Sequence, residues 1–399
     1  MDLRYSEEYE GFRAEVKAFL ADNWPPKGEE SQRSQDEQQA RFRGLAIERG
    51  YLARAIPREY GGSEQPPDVL RGAIIREEFG RAGAPQDPHP PTAQLIPTLL
   101  EHGTEALKQR YLPPTLRGDL VWCQGYSEPG SGSDLASVQT RAERVGDEWV
   151  INGQKIWTTG AHQADMIYLL CRTEPDAGKH AGISYLLLDM NQPGVDVRPL
   201  KQMSGDAHFN EVFFDDARTP ADHIVGKRGE GWIVSRSTLQ HERNAAGRVA
   251  EVRGPFEELV RLAQKSVRNG GPAIADPNVR QRIAEIEGYV ASHEYSAYRQ
   301  LTCDARGESP GPVATMNKLA KTDVCLMMAK LAFDLLGDEG LSAPVSSRDG
   351  PPTDSRTWIY EYMNSIAQTI GAGTSNIQRN IIGERGLGLP RDFAAQKNR

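Results

Sequence analysis

The chain has 399 residues, 38% of them hydrophobic, with a formal charge of −8 and a pI near 5.6, enough to bury a sizeable core as two or three structural units. No Lys/Arg-rich tract occurs, which argues against nucleic acid or an anionic membrane surface as a partner, and the longest apolar runs, at 166–171 and 183–190, are too short to cross a bilayer. The opening MDLRYSEEYE lacks the basic-then-apolar order of a signal peptide, and Cys123, Cys171, Cys303 and Cys325 have no CxxC spacing, so a cytoplasmic protein with reduced thiols is expected.

In chain order, residues 1–121 read as an all-α domain. Phe12, Val16, Phe19 and Leu20 fall at helical spacing, as do Leu95, Leu99, Leu100 and Leu107, with Pro/Gly-rich breaks at 24–27, 57–67 and 83–91. Residues 122–230 read as a middle β domain. In VGDEWVINGQKIWTT (145–159), Gly146-Asp147 and Asn152-Gly153 each divide strand-like runs, and Asn-Gly is a strong hairpin signal. Further strand-like runs lie at 165–171, 183–188, 195–199 and 211–214. From 231 to 399 the helical pattern returns as a bundle, interrupted at 269–278 and 342–354. The order helical, β, helical predicts an α+β fold with an antiparallel middle domain rather than a parallel doubly wound sheet.

The segment WCQGYSEPGSGSDLASVQT (122–140) gathers small residues and hydroxyls around Glu128 and Pro129. Gly and Ser let main-chain N–H groups approach a ligand closely, so one reading is a binding loop. An ordinary surface loop fits the residues equally well. The segment is neither a GxGxxG following a strand nor a GxxxxGK[ST], so a nicotinamide-type or P-loop assignment lacks support.

Residues 123–165, CQGYSEPGSGSDLASVQTRAERVGDEWVINGQKIWTTGAHQAD, closely resemble the signature of acyl-CoA dehydrogenases, and TIGAGTSNIQRNIIGERGLGLPR (369–391) resembles that family's closing motif. The order and spacing of the segments match along essentially the whole chain. The resemblance implies an acyl-CoA dehydrogenase-like fold, FAD as cofactor and an acyl-CoA substrate, with electrons passed to an electron-transferring flavoprotein. It implies a homodimer or homotetramer, or else a heterotetramer in which this chain supports a sister subunit. Position by position, it sets Tyr126 and Ser127 against the isoalloxazine, and Ser133 near the cofactor phosphates and the CoA arm. It sets Trp157 and Thr159 at the flavin's far face and N5 edge, and Gly373, Thr374 and Asn376 near the dinucleotide. By residue type alone, Trp157 reads as a strand-face core aromatic, and Ser375-Asn376-Ile377-Gln378 as a capping box opening the last helix after a flexible turn at 371–374.

Dehydrogenation across the α–β bond needs a carboxylate to take the α-proton while flavin N5 accepts the β-hydride. Much of the family places that glutamate two residues before a Thr-Ser pair, a position that is Ala372 here. Isovaleryl- and long-chain-type members carry it instead on a helix just before an arginine, and Leu239-Gln240-His241-Glu242-Arg243 stands at the matching place. Leu239, Glu242, Ala246 and Val249 are spaced to line one helical face, where a carboxylate is costly unless it has a purpose or a partner. Glu242 is therefore the expected base, and a structural ion pair with Arg243 or a neighbouring helix is its competing role. The resemblance places Arg243 at the CoA arm, and His241 reads as incidental. Where relatives use an Arg-x-x-Phe-Gly-type segment to reach a neighbouring subunit's FAD, this chain has Ser266 in the arginine position, with Arg268 as a substitute. Asp334 stands where a glutamine commonly meets the adenine side. A same-fold flavin monooxygenase or oxidase is a further reading, opposed by the Glu242-Arg243 pair.

Overall fold

Acidic residues at Glu7, Glu8 and Glu10 favour a helix start, and Phe12, Val16 and Leu20 bury one stripe of α1 (Glu7–Asn23). A computed structural model describes residues 5–86, 90–245, 250–309, 311–346 and 351–390. Helix α2 (Gln35–Glu48) opens at Ser34 through a reciprocal capping box with Glu37. Asp68 caps α3 (Val69–Ala82), which stops at Gly83 in the left-handed conformation. These three helices enclose Phe12, Val16, Leu20, Phe42, Ile74 and Phe79. Helices α4 (Pro90–His102) and α5 (Glu105–Arg117) follow.

The middle segment forms one sheet of eight strands: β1 (Trp122–Gly125), β2 (Arg141–Val145), β3 (Glu148–Thr159), β4 (Met166–Arg172), β5 (Ile183–Asp189), β6 (Val195–Leu200), β7 (Phe209–Pro220) and β8 (Ile224–Val225). Its order is β6-β7-β3-β2-β4-β5-β8, with β1 beside β4. Most pairings are antiparallel as expected, but β1 runs parallel to β4, and β2 meets β4 in parallel at Arg141 and Arg172. Gly146-Asp147 is the expected turn between β2 and β3. Asn152-Gly153 is not a turn: both residues lie inside β3, at a bulge in its pairing with β7. Gly153 has φ 148°, and a Cβ there would sit 2.7 Å from Thr140 Cα, so the glycine serves a close backbone approach.

One face of the sheet packs Trp122, Tyr126, Tyr168 and Tyr185 against Leu95, Leu99, Leu112 and Leu116 of α4 and α5 and Val234 of α6 (Gly231–Ala245). The opposite face buries Trp149, Ile151, Ile167, Leu169, Leu186 and Leu188. The C-terminal helices are α7 (Ala250–Lys265), α8 (Pro277–Arg306), α9 (Val313–Leu336), α10 (Ser355–Gln368) and α11 (Ser375–Ile381). They share a core including Phe256, Leu259, Ile286, Val324, Leu331 and Trp358. A two-stranded hairpin, β9 (Val267–Arg268) and β10 (Gly271–Pro272), breaks the run of helices. The chain divides into two compact units, residues 1–200 with 207–241 and residues 201–206 with 242–399. The division falls within α6. The architecture is helical, then β, then helical. Among the described residues no helix is long and apolar enough to cross a membrane.

Candidate active site

The Gly-rich segment is held from within by a buried ion pair. Lys155, on β3 with no exposed surface, lies 2.7 Å from Glu128 Oε1 and donates to Tyr126 O at 3.2 Å. Glu128 also accepts the N–H groups of Gln139 (2.6 Å) and Thr140 (2.9 Å), and its own main chain pairs with Ser131. Ile156 N–H donates to Ser127 O at 2.9 Å, so residues 126–128 are fastened to β3 at adjoining points. Burial alone pushes the Glu128 carboxyl up. The Lys155 ammonium and the hydrogen bonds from residues 139 and 140 outweigh it and hold the carboxyl below the usual carboxylate range. Glu128 therefore orders the loop. Lys155 was not singled out from sequence, although it is a lysine inside an otherwise strand-like run.

Several expected contact residues gather beside this fastening. Tyr126 turns its ring into the core, edge-on to Tyr168 and Tyr185 at centroid distances of 6.0 and 6.3 Å, so its main chain is what it offers a ligand. Ser127 and Thr159 are half-buried, and Ser133 is exposed. Trp157 is no core aromatic: it is 57% exposed, sits at the bulge between Lys155 and Thr158, and packs edge-on to Phe209 at 5.9 Å. Its φ is 61°, a left-handed conformation rare for a bulky residue. Strain of this kind persists where the surroundings impose it; here Lys155 and Ile156, just before it, are both tied to the loop.

The C-terminal turn is anchored. Ala372 (φ 54°) and Gly373 (φ 85°) are left-handed. The buried Gln378 amide donates to Ala372 O (3.1 Å) and Gly373 O (3.3 Å), and buried Lys318 donates to Gln368 O (3.1 Å) and Gly373 O (2.9 Å). The cap of α11 is Thr374, whose hydroxyl accepts Ile377 N–H at 3.2 Å, one residue before the expected Ser375. Gln378, read as the far half of a capping box, instead braces the turn. Asn376 is exposed and accepts from Arg379 at 3.3 Å.

Glu242 and Arg243 lie on α6, but their side chains, with Ala246 and Val249, fall outside the described residues. Arg268 closes β9, 3.3 Å from Asp276. Asp334 is bound by Arg282 at 2.6 Å.

Residues 6–119, 123–217 and 229–387 match the N-terminal, middle and C-terminal domains of acyl-CoA dehydrogenases. The acyl-CoA dehydrogenase IpdE1 of Mycobacterium tuberculosis is 37% identical, over 97% of this chain and 99% of that protein. The chain belongs to the acyl-CoA dehydrogenase family. The solved structure "Tcur3481-Tcur3483 steroid ACAD" matches with a TM-score of 0.78 at 30% identity, over 98% of this chain and 100% of that one. The ChsE4-ChsE5 complex from Mycobacterium tuberculosis gives the same TM-score, identity and coverage. The reaction class is FAD-dependent dehydrogenation of an acyl-CoA thioester. The residues present fit a flavin: an exposed indole on strained backbone follows directly on Lys155 and Ile156, which tie down a loop held by buried charges.

Proposed function

We propose that this chain removes the α-proton of its acyl-CoA with Glu242, working from α6. The observation that carries the reading is Ala372: the turn position where relatives keep the base holds no titratable group. FAD, when bound, supplies the hydride acceptor for the β-carbon. The chain's own residues do the rest. Trp157 and the main chain of Tyr126 and Ser127 wall the flavin, with Thr159 at its N5 edge. Gly373, Thr374, Asn376 and Arg268 serve its dinucleotide, and Ser133 and Arg243 serve the phosphates and the CoA arm. Glu242 takes the proton at its carboxylate and later returns it to solvent, and Arg243, a fixed cation beside it in sequence, favours the ionised form. The proposed domains are 1–121, 122–230 and 231–399, in a cytoplasmic protein that delivers electrons to an electron-transferring flavoprotein.

Anaerobic mixing with butyryl-, octanoyl-, isovaleryl- and cyclohexanecarboxyl-CoA tests the assignment. The wild-type chain bleaches with at least one of them. Glu242→Gln keeps its FAD and loses flavin reduction by at least about a thousandfold, in line with loss of a general base on which the step depends; undiminished reduction in that variant would falsify the base. A second reading is that the chain supports a sister subunit, which the two-chain name of the ChsE4-ChsE5 structure favours by analogy. A chain that is colourless and inert alone, and yellow only when coexpressed with a homologous partner, supports it.

A further inference from the structure

Helices α4 and α6 are joined by polar rungs in an otherwise apolar interface. Thr98 Oγ1 and Thr238 Oγ1 are 3.0 Å apart, and neither residue has exposed surface. Each hydroxyl also reaches its own helix, Thr98 to Gln94 O at 2.9 Å and Thr238 to Val234 O at 3.2 Å. Two protons serve three contacts, so one hydroxyl donates across the interface while the other donates along its helix. At the solvent edge, Glu101 accepts a hydrogen bond from Ser237, and its carboxylate lies 3.7 Å from His241 Nε2. Ser237 Oγ and His241 Nε2 are themselves 3.5 Å apart.

Apolar side chains pack two helices without direction, and neighbouring registers differ little in buried area. The hydrogen bond between the two buried hydroxyls forms in one register alone, because a slip parts them and leaves each only its own helix's carbonyl. The rungs occupy positions 237, 238 and 241. Position 242 follows at once on the same helix, four residues after Thr238. A general base displaced by about an ångström loses up to about a hundredfold in rate. Catalysis therefore has a use for a register lock at this turn, beyond any contribution to folding.

We propose that Thr98, Thr238 and Glu101 are positioning residues that set the turn of α6 from which Glu242 works. The inference rests on Glu242 being the base. Its test uses the FAD-loaded protein, the thioester of the panel above that bleaches it fastest, and acetoacetyl-CoA, which has no β-hydrogen to give. In Thr98→Val/Thr238→Val both hydroxyls go together and neither is orphaned. The limiting rate of flavin reduction falls about tenfold or more, while acetoacetyl-CoA affinity and FAD content stay within about twofold. Thr98→Ser/Thr238→Ser restores the rate. Glu101→Gln, at a half-exposed site that does not threaten folding, gives the same split at roughly threefold. A wild-type limiting rate in the valine pair, or equal losses of rate and affinity, overturns the inference. Should the valine pair fail to fold, an unsplit Glu101→Gln overturns it. A dead Glu242→Gln beside an unimpaired valine pair removes the positioning role alone, whereas an active Glu242→Gln removes the base and this role with it.

Discussion

Lys155 has no exposed surface, and its ammonium is committed to Glu128 and Tyr126 O. Removing one partner strands the other charge in the core. Glu128→Gln is therefore expected to destabilise the chain by about 3–5 kcal/mol, with Lys155→Met similar and the double variant recovering part of the loss. Urea unfolding and FAD release measure both. The pH dependence has a definite sign. Because the Glu128 carboxyl is held below its usual range, its contribution is complete above the unfolded value and is lost as pH falls through the lower folded one. FAD retention should thus weaken on acidification below about pH 4.5, and that step should be missing in Glu128→Gln. At this scale the loop's acid was legible, since Glu128 sits inside a recognisable motif. Its partner was not, because Lys155 is 27 positions away and meets it through the sheet.

The two Asn-Gly pairs show what decides an element. Asn269 (φ 52°) and Gly270 (φ 79°) form the two-residue turn of the β9–β10 hairpin. Asn152-Gly153 carries the same local signal yet stays within β3, whose 12 residues pair with β7 on both sides of it. Asn152 is instead held to Asp216 by two hydrogen bonds, at 2.9 and 3.0 Å. Long-range pairing overrides turn chemistry here. Gly153→Ala should accordingly cost about 1–3 kcal/mol, read as a lowered thermal midpoint, because the Cβ meets Thr140 and the φ of 148° disfavours it. The last helix teaches the same lesson in reverse. Ser375-x-x-Gln378 satisfies the capping pattern, but Thr374 one position earlier takes the cap, and Gln378 is drawn back to the turn's carbonyls.

Across the whole chain, the helical–β–helical order was legible because periods of two and of three to four residues are local properties. The parallel pairing of β1 with β4 was not, since it joins residues more than 40 positions apart without a hydrophobic pattern of its own. Among the site residues, a motif fixes identity but not posture. Resemblance singles out Trp157 as a proposed flavin neighbour, whereas its left-handed backbone is visible only in three dimensions. His241 read as incidental, yet it closes the edge of the α4–α6 interface.

The turn at Ala372 bears on how far the catalytic base is transferable. Alanine there already holds a Cβ in left-handed backbone, at an exposed position whose carbonyl and that of Gly373 are braced. Exchanging it for glutamate lengthens a side chain without asking the backbone for a new conformation. On the proposed mechanism the backbone of this turn can therefore carry a base, and Ala372→Glu introduced into Glu242→Gln should regain a measurable part of flavin reduction, on the order of a hundredth of wild type or more. Single-turnover bleaching decides it: a double variant as inert as Glu242→Gln means that a carboxylate at this turn cannot serve as the base.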